Sequence, residues 1–131
     1  MESIFSVVAE LAGAAKTCAR PSPSHQELAE ETRRILGQVY RRRVQLTELA
    51  ASVGVNPYHL CRVFREQVGV SVYRYMMLLR VRNAMEALLG GEQDLTGLAL
   101  DLGFSSHSHF TFTFRREVGV PPSKFRRGSS I

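Results

Sequence analysis

The chain has 131 residues, 44% of them hydrophobic, and carries 17 basic against 12 acidic side chains for a net charge of +5. That length holds one domain, or two very small ones sharing a helix, and the apolar content excludes a disordered tail. The charge is uneven: residues 1–32 sum to −3 and residues 33–131 to +8, so a polyanion is the expected partner of the longer part.

In chain order, residues 2–17 read as a helix with Ile4, Val8, Leu11 and Ala15 on one stripe and Phe5 beside it. Arg20-Pro-Ser-Pro-Ser24 breaks it. Ser24 or His25 opens a second helix running to about Arg41, with Leu28, Thr32, Ile35, Leu36, Val39 and Tyr40 inward. The triplet Arg41-Arg42-Arg43 closes it, either as cations on the C-terminal dipole or as phosphate contacts. Thr47 begins a short helix, 47–53, ended by Gly54. Asn56 N-caps the next helix, 57–67, with Pro57 at its first position and Gly69 at its end. Ser71 caps a long helix through Leu89, stopped by Gly90-Gly91. Thr96 begins a second short helix, 96–102, ended by Gly103, and Ser106 caps a helix over 107–118, ended by Gly119. Pro121-Pro122 starts a last turn with Lys124, Phe125 and Arg126. No stretch alternates with period two, so the predicted fold is all-α.

Part of this order occurs twice. Leu95-Thr-Gly-Leu-Ala-Leu-Asp-Leu-Gly103 echoes Leu46-Thr-Glu-Leu-Ala-Ala-Ser-Val-Gly54 at an offset of 49. Beyond the turn the offset is 50: His59, Phe64, Arg65, Val68, Gly69 and Val70 recur as His109, Phe114, Arg115, Val118, Gly119 and Val120. A slip confined to the turn fits a duplicated helix-turn-helix, because turns absorb insertions and packed helices do not.

Helical periodicity gives each repeated helix two faces. Over 57–67, Leu60, Val63 and Phe64 point inward, which leaves Tyr58, Cys61, Arg62 and Arg65 outward. Over 107–118, Phe110, Phe114 and Val118 face in. His107, Ser108, Thr111, Phe112 and Arg115 face out or flank that face. A short helix, a glycine-bearing turn and a helix with a polar, basic outer face is the helix-turn-helix plan.

Other classes find less support. Cys18 and Cys61 show no CxxC or CxxH spacing, so reduced thiols and no metal or cofactor are expected. His107 and His109, two apart, point about 200° from each other and cannot share a metal. No apolar run has transmembrane length, and Met-Glu-Ser-Ile-Phe lacks the basic start of a signal peptide, so no membrane partner and a cytoplasmic location are expected.

The sequence resembles the AraC/XylS family of bacterial transcriptional regulators. The second unit carries the pattern nearly whole: Ala99-Leu-Asp-Leu-Gly-Phe-Ser-Ser106, then Ser108-His109-Phe110, Phe114-Arg115-Arg116, Gly119, Pro122 and Phe125-Arg126. The first matches more loosely, through Leu49-Ala50, Gly54-Val55, Leu60, Arg62, Phe64, Gly69 and Tyr75, followed by Arg80 and Ala84. The resemblance covers about residues 28–127. It implies a bipartite DNA-binding domain over 25–128: a first unit at about 25–70, a linking helix at 71–89 and a second unit at about 95–127, each a homeodomain-like three-helix unit. Two recognition helices, 57–67 and 107–118, would lie in successive major grooves. A linking helix of about 27–29 Å is compatible with grooves about 34 Å apart.

Two departures stand out. Where the family commonly has Arg, Asn or Lys, this chain has Phe112, which cannot hydrogen-bond a base edge; it is left a thymine methyl or its own neighbours, and the second unit then binds mostly through phosphates. The sensory domain that usually precedes the region is not found in residues 1–24. They are too short for a ligand-binding barrel, so an effector is expected only if a separate sensory domain exists. Their apolar helix favours a fragment starting at an interdomain linker over a small stand-alone member.

The expected base contacts are Tyr58, Cys61, Arg62, His107, Ser108, Thr111 and Phe112. Arg62 leads them because a bidentate arginine on guanine is the commonest base contact; its bland alternative is a solvated pair with Glu66. Phosphate contacts are expected from Asn56, Arg65, Ser106, Arg115, Lys124 and Arg126, and His59 and His109, at matching places, are expected to be structural. The partners are then double-stranded DNA and RNA polymerase. Two rival readings are an architectural DNA-bending protein and the DNA-binding part of a repair methyltransferase. The latter is weakened because Cys18 has only Lys16 and Arg20 beside it.

Overall fold

The structure, a computed structural model, describes residues 24–129. The helix expected over 2–17, the linker before Ser24 and Cys18 lie outside the described residues. Seven helices follow within them: α1 His25–Val39, α2 Leu46–Ser52, α3 Pro57–Val68, α4 Val72–Leu89, α5 Leu95–Asp101, α6 His107–Val118 and α7 Pro122–Ser129. No strand occurs among the described residues, and no described helix is long and apolar enough to cross a membrane.

The helix starts follow from local chemistry. Ser24 and Glu27 form a capping box: the Ser24 hydroxyl accepts from the Glu27 N–H at 3.1 Å, and the Glu27 carboxylate accepts from the Ser24 N–H at 2.9 Å. Asn56 and Ser106 cap α3 and α6 through side-chain oxygens that accept from the N–H groups of His59 (2.8 Å) and His109 (3.0 Å). Both helices end at a left-handed glycine, Gly69 and Gly119.

Several expected boundaries shift. The two short helices start one residue before Thr47 and Thr96, at Leu46 and Leu95, with Gln45 and Asp94 at their N-cap positions; Asp94 accepts from the Gly97 N–H at 3.0 Å. The last turn grows into an eight-residue helix, α7. More consequential, α1 stops at Val39 and carries no basic residue in its last turn. Arg41-Arg42-Arg43 therefore lies in the turn beyond, and does not close the helix.

The described residues divide into two compact units: 24–39 with 43–75, and 40–42 with 76–129. In the first, Leu28, Ala29, Ile35, Leu36 and Val39 of α1 are buried, as are Leu49, Ala50 and Val53 of the α2 region and Leu60, Val63 and Phe64 of α3, on which both α1 and α2 pack. The buried Thr32 satisfies its hydroxyl on the Leu28 carbonyl, 2.8 Å away, and Phe64 meets Tyr75 edge-on at 5.5 Å.

The second unit is built on rings. Phe104, Phe110, Phe114 and Phe125 follow one another at centroid distances of 5.1, 5.8 and 5.6 Å. Met77, Val81, Ala84 and Leu88 of α4 are buried with Leu98, Ala99 and Leu102. Thr113 is buried where the first unit has Val63, a near-isosteric exchange.

Within this unit the chain segment 40–42 is fastened by Arg80, only 4% exposed. Its Nε donates to the Tyr40 carbonyl at 2.7 Å and its Nη2 to the Arg42 carbonyl at 3.1 Å, while its guanidinium lies 5.6 Å from the centre of the Phe104 ring. The Tyr40 and Arg42 carbonyls, just beyond the end of α1, thus face Arg80 and not a following helical turn.

Candidate nucleic-acid interface

In each unit the core side of the second repeated helix is closed, so its outward side is defined by elimination. Leu60, Val63 and Phe64 are fully buried in α3, as are Phe110 and Phe114 in α6. On the outward side of α3, Tyr58 is 79% exposed, Arg62 and Arg65 are exposed, and Cys61 is half-buried. On α6, His107, Ser108, Phe112 and Arg115 are exposed and Thr111 is half-buried. Asn56 and Ser106 are exposed caps, Lys124 is exposed, and Arg126 is half-buried. Arg126 also has a structural bond, Nη1 to the Gln93 carbonyl at 2.9 Å, which ties α7 to the loop before α5. Among the described residues no three potential metal ligands cluster.

Arg62 sits between two polar neighbours of its own helix. Its Nη2 donates to Nδ1 of His59 at 3.2 Å, and its Nη1 lies 3.7 Å from the Glu66 carboxylate. The second distance is too long for a hydrogen bond, and an exposed pair at this spacing contributes about 0.3–0.5 kcal/mol. A bidentate contact with guanine discriminates by about 1–3 kcal/mol. The Glu66 pair is therefore a weak hold from which a base can take the guanidinium.

The repeat places Phe112 and Arg116 where Arg62 and Glu66 stand. The salt bridge of the first unit becomes a cation–π pair in the second: the Arg116 guanidinium lies 5.7 Å from the centre of the Phe112 ring. Arg116 is not among the expected contact residues, although its i,i+4 spacing from Phe112 is a legible signal.

The matching histidines diverge as well. His109 fits the structural role expected of it: Nδ1 lies 3.1 Å from the Ser105 hydroxyl and the ring 5.3 Å from Phe104. His59 instead accepts from Arg62 and meets the ring of His25 at 5.7 Å, so it steadies an outward-facing side chain and not only the fold. The i,i+3 spacing of His59 and Arg62 carried that signal.

The Tyr40 hydroxyl beside Arg41 raises the pKa of that guanidinium, and the Tyr75 hydroxyl followed by Glu30 does the same for Arg33. Arg34 is raised by its bond to Glu31.

A family model described as a helix-turn-helix domain matches residues 49–128. YbfP, an uncharacterised helix-turn-helix-type transcriptional regulator of Bacillus subtilis, is 38% identical over 69 residues, covering 53% of this chain and 23% of that protein. The chain spans about a quarter of the length of two of the curated regulators that it matches, 23% and 28%. Among solved structures, an AraC-type DNA-binding transcriptional regulator from Chromobacterium violaceum has a TM-score of 0.74 at 25% identity, over 79% of this chain and 93% of that one. The DNA-binding domain of AdpA, solved in complex with a target DNA, has the same fold at a TM-score of 0.71 and 22% identity, over 76% and 90% of the two chains.

Proposed function

The chain belongs to the AraC-type family of helix-turn-helix transcriptional regulators, and on that premise we infer that it binds double-stranded DNA by laying α3 and α6 in successive major grooves. The observation that carries this is the twice-built outward face: a capped helix whose inner side is sealed by Leu60 and Phe64 in one unit and by Phe110 and Phe114 in the other, with exposed arginines at Arg62 and Arg65 and at Arg115 and Arg116. The AdpA domain, similar in fold, is solved on its target DNA, which supports the same use of the fold here.

In this reading residues 25–128 form the DNA-binding part, with units at about 25–70 and 95–127 about the helix 71–89. Tyr58, Cys61 and Arg62 face bases in one groove; His107, Ser108, Thr111 and Phe112 face them in the other. Arg65, Arg115, Lys124, Arg126 and the helix starts at Asn56 and Ser106 meet phosphates, which fix register without reading sequence. The role is non-enzymatic, since it asks only for donors held on outward helix faces. The protein then works in the cytoplasm, with RNA polymerase as the partner of a DNA-bound regulator, and an effector enters only through a separate sensory domain.

Selection of bound duplexes from random DNA tests the reading. The expected result is one enriched site with two specified segments. Recovery of all sequences alike would mark an architectural DNA binder and overturn it.

A further inference from the structure

The outward face of α6 carries a side chain that its own unit does not use for packing. Phe112 is 64% exposed, whereas Phe104, Phe110 and Phe114 are at most 2% exposed. The core of the second unit is complete without it. Yet the ring is not loose: Arg116 stacks its guanidinium over it at 5.7 Å, and the Nε of Arg116 lies 3.4 Å from the Glu117 carboxylate, whose side chain is 7% exposed. A carboxylate thus lies beside the cation that covers the ring.

Few surfaces suit such a group. Arg115 and Arg116 are exposed beside it, so an apolar protein surface pressed on Phe112 would desolvate two cations with nothing to receive them. A polyanion receives both. Inside the major groove of DNA the apolar group on offer is the C5 methyl of a pyrimidine, present on thymine and absent from cytosine and uracil. Resting on the DNA-binding reading above, we propose that Phe112 is a specificity-determining residue that reads a pyrimidine C5 methyl in the half-site under the second unit, with Arg116 as the positioning residue that holds the ring. The outward faces of the two units then read by different chemistry from one position of the repeat: hydrogen-bond donation at Arg62 and apolar contact at Phe112.

The expected size is modest. One methyl group removed from water is equivalent to about 0.8 kcal/mol, or about fourfold in affinity.

The test titrates the full chain at fixed salt against a duplex carrying its selected site, and against versions in which each thymine in turn is replaced by uracil. Wild type loses about fourfold at one thymine of the second half-site. At that position 5-methylcytosine is bound more tightly than cytosine, which shows that the methyl and not the base is read. Phe112→Ala binds the thymine and uracil duplexes alike there, and keeps every uracil effect of the first half-site, so changes in DNA stiffness are controlled. Arg116→Ala weakens binding to both duplexes by loss of charge and also narrows the ratio between them, which loss of charge alone would not do. If wild type binds every second-half uracil duplex as tightly as the thymine duplex, or if Phe112→Ala keeps the difference, the proposal falls and the DNA-binding reading stands. If no sequence is preferred over a random duplex, both fall.

Discussion

The buried guanidinium of Arg80 donates from Nε to the backbone carbonyl of Tyr40 at 2.7 Å, across forty positions of sequence. A second bond, to the Arg42 carbonyl, makes the pair a clamp that holds 40–42 in the second unit. Removing the donor leaves two carbonyls to find other partners. Arg80→Met, of similar apolar reach, is expected to destabilise the chain by about 2–3 kcal/mol, read as the shift of the urea midpoint. Arg80→Lys restores only part of the loss, because an ammonium lacks the planar fork that serves two carbonyls at once. Equal stability of Arg80→Met and wild type would show that the clamp contributes nothing.

The two turn glycines, at matching places in the repeat, should respond unequally to alanine. Both have left-handed backbones, φ +78 at Gly54 and +96 at Gly103, so each substitution costs about 1–2 kcal/mol in conformation. A Cβ at Gly54 meets nothing within 4 Å, while one at Gly103 stands 2.6 Å from the Arg41 carbonyl oxygen and 2.8 Å from its carbon. Those are backbone atoms, fastened by their neighbours' bonds to Arg80, and they yield only at a cost. Gly103→Ala is therefore expected to be clearly the more damaging of the two by thermal unfolding; matching losses would count against the close approach.

Affinity for DNA should fall steeply with salt. Residues 33–131 carry a net +8, and about six to ten phosphate contacts give a log–log slope steeper than roughly −5. The measurement is the binding constant over a salt series on one duplex. A slope near zero would remove the electrostatic basis of the functional reading.

Arg62→Ala and Arg115→Ala should fail in different ways. Arg62, loosely held by Glu66 at 3.7 Å, is expected to cost about 1–3 kcal/mol on the best site and to relax selectivity at one or two positions. Arg115, placed after the core Phe114, is expected to weaken all sequences similarly. Repeating site selection with each variant separates the two. Sharper specification under α6 than under α3 would reverse this assignment.

The helical class, the duplication and the sealed inner faces were legible in the sequence because they rest on local rules. Asn56-Pro57 and Ser106 start helices, Gly69 and Gly119 end them, and the period of Leu60, Val63 and Phe64 marks a buried stripe whatever lies opposite. The outward residues followed by subtraction. What subtraction could not supply was the partner of each exposed side chain. Arg62 leaning on His59, and Arg116 lying over Phe112, depend on which rotamers the surroundings leave open, although both pairs have ordinary helical spacing. The hydrogen bonding past the end of α1 was decided further away still. Just beyond Val39, the carbonyls of Tyr40 and Arg42 take the donors of Arg80, about forty residues on, because a buried charge must have its hydrogen bonds met by groups that only the folded chain brings together.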